Sequence, residues 1–362
     1  MIRVLQVLGK LNRGGAETMI MNIYRNIDRT KIQFDFVKHT TEKCAYEDEI
    51  LSLGGRIYNI PQYKLYNHLK YKKEWKKLLF EHDEWKIVHS HIRSTATILL
   101  KIAKKENRIT ISHSHSISNG KGLKAIIKKK LQSSLPQYSD YMFACSKEAG
   151  EWLFGKNKFK IIPNSIEAEK FKYNENVRNN IRKCLNIEKD YVLGMVGRLT
   201  EVKNHRFMIN IFSKMIKQKS NLKLLIIGSG PNKKKLYDLV EKLNLVNDVI
   251  FLEEVENIQN YYQAFDIFVF PSLWEGLGMV AIEAQCSGLK CFVSSEVPSI
   301  IDIGANLVEF ININDENLWI NRILEKKELN RLSQVDKVKA AGFDISENAK
   351  NIEKFYLNIK NK

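Results

Sequence analysis

Short apolar runs alternate with segments of helical spacing along nearly the whole chain. In the first half the pattern predicts strands over 2–8, 32–38, 87–89, 109–113 and 141–145. Between them it predicts helices over 15–27, 46–53, 70–82, 94–106, 122–134 and 147–154. Residues 161–165 read as a short strand and turn, and the polar stretch 167–190 reads as a link between domains. The alternation then resumes, with strands over 192–196, 222–227, 249–251, 267–270 and 290–293 and helices over 204–218, 231–243, 256–264 and 279–287. Helical spacing continues over 316–340 and again over 346–359. Strands separated by helices imply parallel sheets, and no repeat of solenoid length interrupts them. Two such series in 362 residues predict two doubly wound domains with ligand in the cleft between them.

The richest chemistry lies in residues 266–295. A strand-like run, Ile267 to Phe270, stops at Pro271; a loop with Glu275, Gly276 and Gly278 then opens a helix that is apolar on almost every side yet carries Glu283. A carboxylate in such surroundings is costly unless something hydrogen-bonds it. The two glycines admit close approach of a ligand, and the helix start offers unpaired amides to an anion. Acceptors for hydroxyl groups thus sit beside a phosphate cradle, which suits a nucleotide-sugar.

Other turns add to this. The first strand ends in Gly9-Lys-Leu-Asn-Arg-Gly14-Gly15-Ala-Glu17, a strand-to-helix turn that either faces a phosphate or merely bends the chain. Gly197-Arg198-Leu-Thr-Glu-Val-Lys203-Asn204 follows the first strand of the second series and places two cations where open α/β sheets bind ligands. They either neutralise a diphosphate or are ordinary surface charges. Gly228-Ser-Gly230 holds a nucleotide base or simply turns the chain. Four of the eight histidines form two close pairs at strand ends, His89-Ser-His91 and His113-Ser-His115. Packing, substrate contact and a metal site are all open readings, although no cysteine or carboxylate is spaced with them as a ligand set.

Composition narrows the class. Hydrophobic residues make up 44% and charged residues 27%, as in a globular protein. Five cysteines without a Cys-x-x-Cys pair fit reduced thiols in a cytosolic protein, and no stretch approaches a membrane span. The net charge of +17 is uneven: Lys and Arg exceed Asp and Glu by 15 in residues 1–160 and by 2 in residues 161–362. Within the basic half, 64–80 and 121–131 interleave lysines with apolar and aromatic residues, a pattern that suits an anionic membrane surface or a solvated helix face. A nucleic-acid partner is disfavoured, because the charge lies on one half and the site-like motifs extend into the other.

Taken in order, Gly14-Gly15-Ala-Glu17, Ile162-Pro163-Asn164-Ser-Ile, Gly197-Arg198-Leu with Lys203-Asn204, and Phe270-Pro-Ser followed by Glu275-x7-Glu283 resemble the retaining family 4 glycosyltransferases of the GT-B fold. The resemblance covers nearly the whole chain and is nearest to bacterial exopolysaccharide and capsule enzymes, which often carry a similar His-Ser-His. It implies an N-terminal acceptor-side domain over 1–165, a C-terminal nucleotide-sugar domain over 166–345, and a last helix, 346–362, returning to the first domain. It implies that Arg198 and Lys203 bind the donor diphosphate, and that Glu275 with the amides of Gly276, Leu277, Gly278 and Met279 holds the sugar and distal phosphate. Glu283 would take the ribose hydroxyls. Gly14, Gly15, Gly197 and Gly228 would line the donor site. His113 or His115 would face the sugar, with His91 and Glu17 nearer the acceptor. The activity implied is transfer of a sugar from a nucleotide diphosphate donor, UDP by preference, to a lipid-linked saccharide, with retention and without metal or other cofactor. The enzyme would be cytoplasmic and held at the inner membrane face by its basic domain. A nucleotide-sugar epimerase of the same architecture and a basic membrane- or nucleic-acid-binding protein are the competing readings. The chain departs from the family at Ser294-Ser-Glu296-Val-Pro298, where relatives carry a glycine pair, so no contact is assigned there.

Overall fold

The structure, a computed structural model, describes residues 1–115, 129–253, 255–325 and 331–359. Contacts divide the chain into two units, Met1–Ser165 with the segment from Ile345 onward, and Ile166–Asp344.

The first unit is a seven-stranded parallel sheet made of β1 (Ile2–Val7), β2 (Ile32–Lys38), β3 (Arg56–Asn59), β4 (Ile87–Ser90), β5 (Ile109–Ser114), β6 (Tyr141–Ala144) and β7 (Lys160–Ile161). Its order is β3-β2-β1-β4-β5-β6-β7. The chain therefore reverses its direction of travel between β1 and β4, and the loops after these two strands splay apart at one edge. Helices cover both faces, as continuous burial along β1 and β2 requires. The helix Ile345–Ile359 joins this unit because Ile345, Ala349, Ile352, Tyr356 and Ile359 form one apolar stripe, packed into the same core as Met19, Ile20 and Ile23 of the helix Gly15–Asn26.

The second unit is a six-stranded parallel sheet of β8 (Tyr191–Val196), β9 (Leu222–Ile227), β10 (Val249–Leu252), β11 (Ile267–Phe270), β12 (Lys290–Ser294) and β13 (Val308–Ile311), in the order β10-β9-β8-β11-β12-β13. Here the reversal falls between β8 and β11.

Several expected elements need correction. The polar stretch 167–190 is not a plain link: it holds a short 3-10 turn, Ala168–Phe171, and a helix, Glu175–Cys184. Asn174 caps that helix by accepting from the Val177 amide at 3.1 Å. Arg178 and Arg182 then fasten it to Asp266, at 2.5 and 3.1 Å, and Asp266 also accepts from the Val192 amide at 2.7 Å. Charge pairing replaces the apolar stripe that sequence reading looks for. Two strands were not expected, β3 and β13. Both are four-residue edge strands with mixed exposure, so neither shows a continuous apolar run. The helical stretch 316–340 is two helices, Glu316–Leu324 and Val335–Ala340. Arg331 lies between them, donating to the carbonyls of Ser287, Gln263, Phe265 and Tyr262 at 2.6–3.0 Å. The helix expected over 122–134 lies largely outside the described residues.

Candidate functional site

In the second unit the predicted residues converge on the edge where β8 and β11 end. Gly197 leaves β8 at φ +154°, and the Lys203 stem lies 3.5 Å from where a Cβ on Gly197 would stand. Lys203 closes a 3-10 turn, Glu201–Lys203, after which Asn204 takes a left-handed conformation that starts the helix His205–Met215. The loop after β11 is stitched to this turn: Leu273 N donates to Val202 O at 2.8 Å, and Asn204 Nδ2 donates to Pro271 O at 3.2 Å. That stitching brings Lys203 Nζ to 2.5 Å from Glu275 Oε1 and 5.0 Å from the centre of the Phe270 ring. Two residues 72 apart in sequence thus form one partly buried ion pair.

Around this pair stand groups suited to an anion. Arg198 is exposed and has no side-chain partner among the described residues. The helix Met279–Cys286 begins after Gly278, which sits at φ +90°, and no side chain caps it. Ala281 N donates to Gly278 O at 3.0 Å, while the Met279 and Val280 amides are left for a ligand. Gly276 has open space where a Cβ would be. Glu283 accepts from the Tyr262 hydroxyl at 2.7 Å, which answers how an apolar helix tolerates it. Burial raises its carboxyl above the usual range, opposed by Tyr262 and by Lys203. Gly228 serves a packing role: a Cβ there would stand 2.1 Å from Gly197 O, so the turns after β8 and β9 touch backbone to backbone.

In the first unit Glu17 folds over its own helix start, because a Cβ at Gly14 would meet Glu17 Oε2 at 2.3 Å, while Gly15 opens onto free space. Burial raises the Glu17 carboxyl. His91 follows β4 and is held at the sheet edge, its amide donating to Val7 O at 2.9 Å. His89 and His113 are interior, each 1% exposed, whereas His115 just beyond β5 is partly exposed. The four rings stack with centroids 4.2–5.5 Å apart. Burial first, and the repulsion each imidazolium would meet from the other rings second, hold His89, His91 and His113 well below the ordinary imidazole value; burial and then Arg93 hold His115 at about 3. They are neutral at physiological pH.

Ligand nitrogens of His89, His91 and His113 lie within 4.8 Å of one another. Both ring nitrogens of His91, however, already bond, Nδ1 to His115 Nε2 at 2.8 Å and Nε2 to Gln6 Oε1 at 2.9 Å. A metal bound through all three would break one of these bonds, and no carboxylate stands in the group to balance its charge. The residues present do not fit a metal well.

The same unit shows a basic, partly apolar face. The helix His68–Glu81 buries Tyr71, Trp75 and Leu79 and turns Leu69, Lys73, Lys77 and Phe80 outward at helical spacing. Leu65, Tyr66, Leu69 and Phe80 are 62–84% exposed, far beyond what scattered surface residues need.

Sequence reading did not find Tyr262, Gln6 or Tyr356, whose partners lie 21, 85 and 267 or more residues away. No local pattern marks them.

Comparison with known proteins gives consistent matches. Residues 13–170 match the family described as Glycosyltransferase Family 4, and residues 177–334 match Glycosyl transferases group 1. A putative glycosyltransferase of Bacillus subtilis, EpsF, is 33% identical over 335 residues, 89% of this chain and 86% of the relative. An Escherichia coli enzyme named UDP-Gal:alpha-D-GlcNAc-diphosphoundecaprenol alpha-1,3-galactosyltransferase is 30% identical over 211 residues, 56% of this chain and 54% of the relative. The crystal structure of Anabaena HepE in complex with UDP superposes with a TM-score of 0.80 at 16% identity, covering 99% of this chain and 100% of that one, which shows a shared fold. That fold is GT-B, two Rossmann-like units in one chain.

Proposed function

The chain belongs to the family 4 glycosyltransferases, and on that premise we propose that it moves a sugar from a UDP-sugar to a hydroxyl of a lipid-linked saccharide during bacterial polysaccharide assembly. The observation that carries this reading is the Lys203–Glu275 pair at the β8/β11 reversal, with unpartnered Arg198 in the same loop and an uncapped helix start after Gly278. Arg198 and Lys203 bind the diphosphate and stabilise it as it departs. Glu275 and the amides from Gly276 to Met279 take the transferred sugar and distal phosphate. Glu283, with one oxygen held by Tyr262, turns the other to the ribose. In the first unit, His113 or His115 serves the transferred sugar and His91 the acceptor. The reaction retains the anomeric configuration, the acceptor oxygen adding to the face that the diphosphate leaves while its proton passes to the departing diphosphate; fixed cations and amides stabilise that leaving group beside an oxocarbenium-like carbon, and no metal is used. The named substrates of the E. coli enzyme support a UDP donor and a polyprenyl-linked acceptor.

The exposed apolar residues among the lysines of 64–80 dock the enzyme on anionic lipid at the inner membrane face, beside that acceptor. No described helix is long and apolar enough to cross a membrane.

The test is incubation of the purified chain with UDP-sugars and a polyprenyl-diphosphate-linked saccharide, read by UDP release and by NMR of the new linkage. Transfer with the donor's own anomeric configuration, unaffected by EDTA, is expected. Epimerisation of donor without acceptor would favour the epimerase instead.

A further inference from the structure

The second unit holds a cavity of about 290 Å³ whose lining includes none of Arg198, Lys203, Glu275 and Glu283. On one side it has the turn 200–204 and the start of the helix His205–Met215, and on the other the helix Lys233–Lys242. Small-molecule sites begin at about 300 Å³, so its occupant is small.

The walls are mixed in charge. Lys235, Asp238, Leu239 and Lys242 recur at helical spacing, so one face of their helix borders the cavity, and Arg206 lines it from the opposite helix. These three cations are exposed, and none has a side-chain partner among the described residues. Buried His205 lines the cavity too but adds no charge, because burial first and Lys203 second lower its pKa to about 4. Two carboxylates stand among the cations. Glu201 Oε1 accepts from Asn232 Nδ2 at 3.0 Å, whereas Asp238 has no partner among the described residues. A bare anion would gain the cations and meet both carboxylates. A ligand carrying hydroxyls beside a phosphate answers both: its anionic oxygens accept from Arg206, Lys235 and Lys242, and its hydroxyls donate to Asp238. Leu236 and Leu239 offer an apolar patch to the C–H face of a sugar ring, and no Phe, Tyr or Trp lines the cavity for a nucleobase to stack on.

We propose that this cavity is an effector site for a small phosphorylated sugar, and that filling it tightens binding of the nucleotide donor. The coupling lies in one turn. Thr200, Glu201 and Asn204 wall the cavity, and the same turn carries Lys203, which pairs with Glu275. Asn232 ties that segment to the helix Lys233–Lys242, its amide donating to Leu199 O and its side chain to Glu201, both at 3.0 Å. A ligand gripped by cations of both helices therefore orders the turn in advance, and donor then has less ordering to do at Lys203. The site stands apart from the family 4 reading; its effect on donor rests on it.

The experiment is isothermal titration of hexose and N-acetylhexosamine 1- and 6-phosphates into the full-length, UDP-saturated protein. Inorganic phosphate and the unphosphorylated sugars are parallel arms, and Lys235→Ala combined with Lys242→Ala is the variant. Saturating UDP keeps the sugar phosphates off Arg198 and Lys203. One or more sugar phosphates should bind wild type about 10-fold or more tightly than inorganic phosphate or the parent sugar. The double variant should weaken that binding by about 10-fold or more, the worth of one hydrogen bond to a charged group. In the reverse titration the same sugar phosphate should tighten UDP binding about 5-fold or more in wild type and leave it unchanged in the folded double variant. No binding of any sugar phosphate, equal binding of inorganic phosphate, equal affinity in the double variant, or UDP affinity indifferent to the sugar phosphate would each overturn the proposal. Loss of the donor reading would appear separately, as no UDP binding to wild type, and the same titrations without UDP would then judge the cavity alone.

Discussion

Glu275 fixes the Lys203 ammonium at 2.5 Å; on the proposed reading, diphosphate oxygens of a donor would compete for that charge and leave the Glu275 carboxylate to the sugar hydroxyls. Lys203→Ala and Arg198→Ala should each lower turnover about 10²- to 10³-fold, the range seen when one preorganised donor to a developing charge is lost, with folding checked by circular dichroism. Normal turnover in either variant would contradict the assignment. The histidine stack makes a second prediction. Its rings are held neutral in the fold, whereas the unfolded chain protonates near 6.5. A base whose folded value is lowered contributes stability that is fully present above the unfolded value and lost as pH falls below it. The unfolding free energy from urea titration should therefore fall between pH 7.5 and 5.5 by about 1.4 kcal/mol in total for each of His89, His91 and His113, most of it below pH 6.5. A flat profile would show that the rings already carry protons in the fold. At this scale Glu275 and Lys203 stood out because each lies in a glycine-bearing turn near a strand end, and Glu283 because it is a carboxylate inside an apolar helix. Tyr262 was not legible, since the proton that makes Glu283 tolerable comes from another helix.

Helices and strands were readable where burial made them periodic and unreadable where charge or an edge did the holding. The helix Glu175–Cys184 hides its anchor in Asp266, 84 residues from Arg182. Asp266→Ala leaves Arg182, 5% exposed, without that carboxylate and should destabilise the second unit by about 3 kcal/mol, seen in denaturant titration. The Gly228 turn is the other element-scale test. Alanine there needs a Cβ 2.1 Å from Gly197 O and a φ of +146°, so the turns after β8 and β9 must separate. Gly228→Ala should weaken UDP binding at least 10-fold, since Gly197 carries the loop that holds Arg198 and Lys203; unchanged binding would mean the two turns are independent.

Across the whole molecule, the order of elements and the family were legible early, because alternating strands and helices leave few alternatives to doubly wound sheets. Charge asymmetry marked the first half, and the structure added which residues stand out among its lysines: Leu65, Tyr66, Leu69 and Phe80. The protein should sediment with anionic vesicles at low salt, less so at 0.5 M, and Leu69→Ser with Phe80→Ser should weaken sedimentation without altering UDP affinity. The central claim is that the β8/β11 edge of the second unit grips the diphosphate of a nucleotide-sugar. Isothermal titration of UDP into wild type, Arg198→Ala and Lys203→Ala tests it most directly. Saturable binding to wild type, with each variant at least 10-fold weaker, is the predicted result; equal affinity in all three, or no binding to folded wild type, would contradict it.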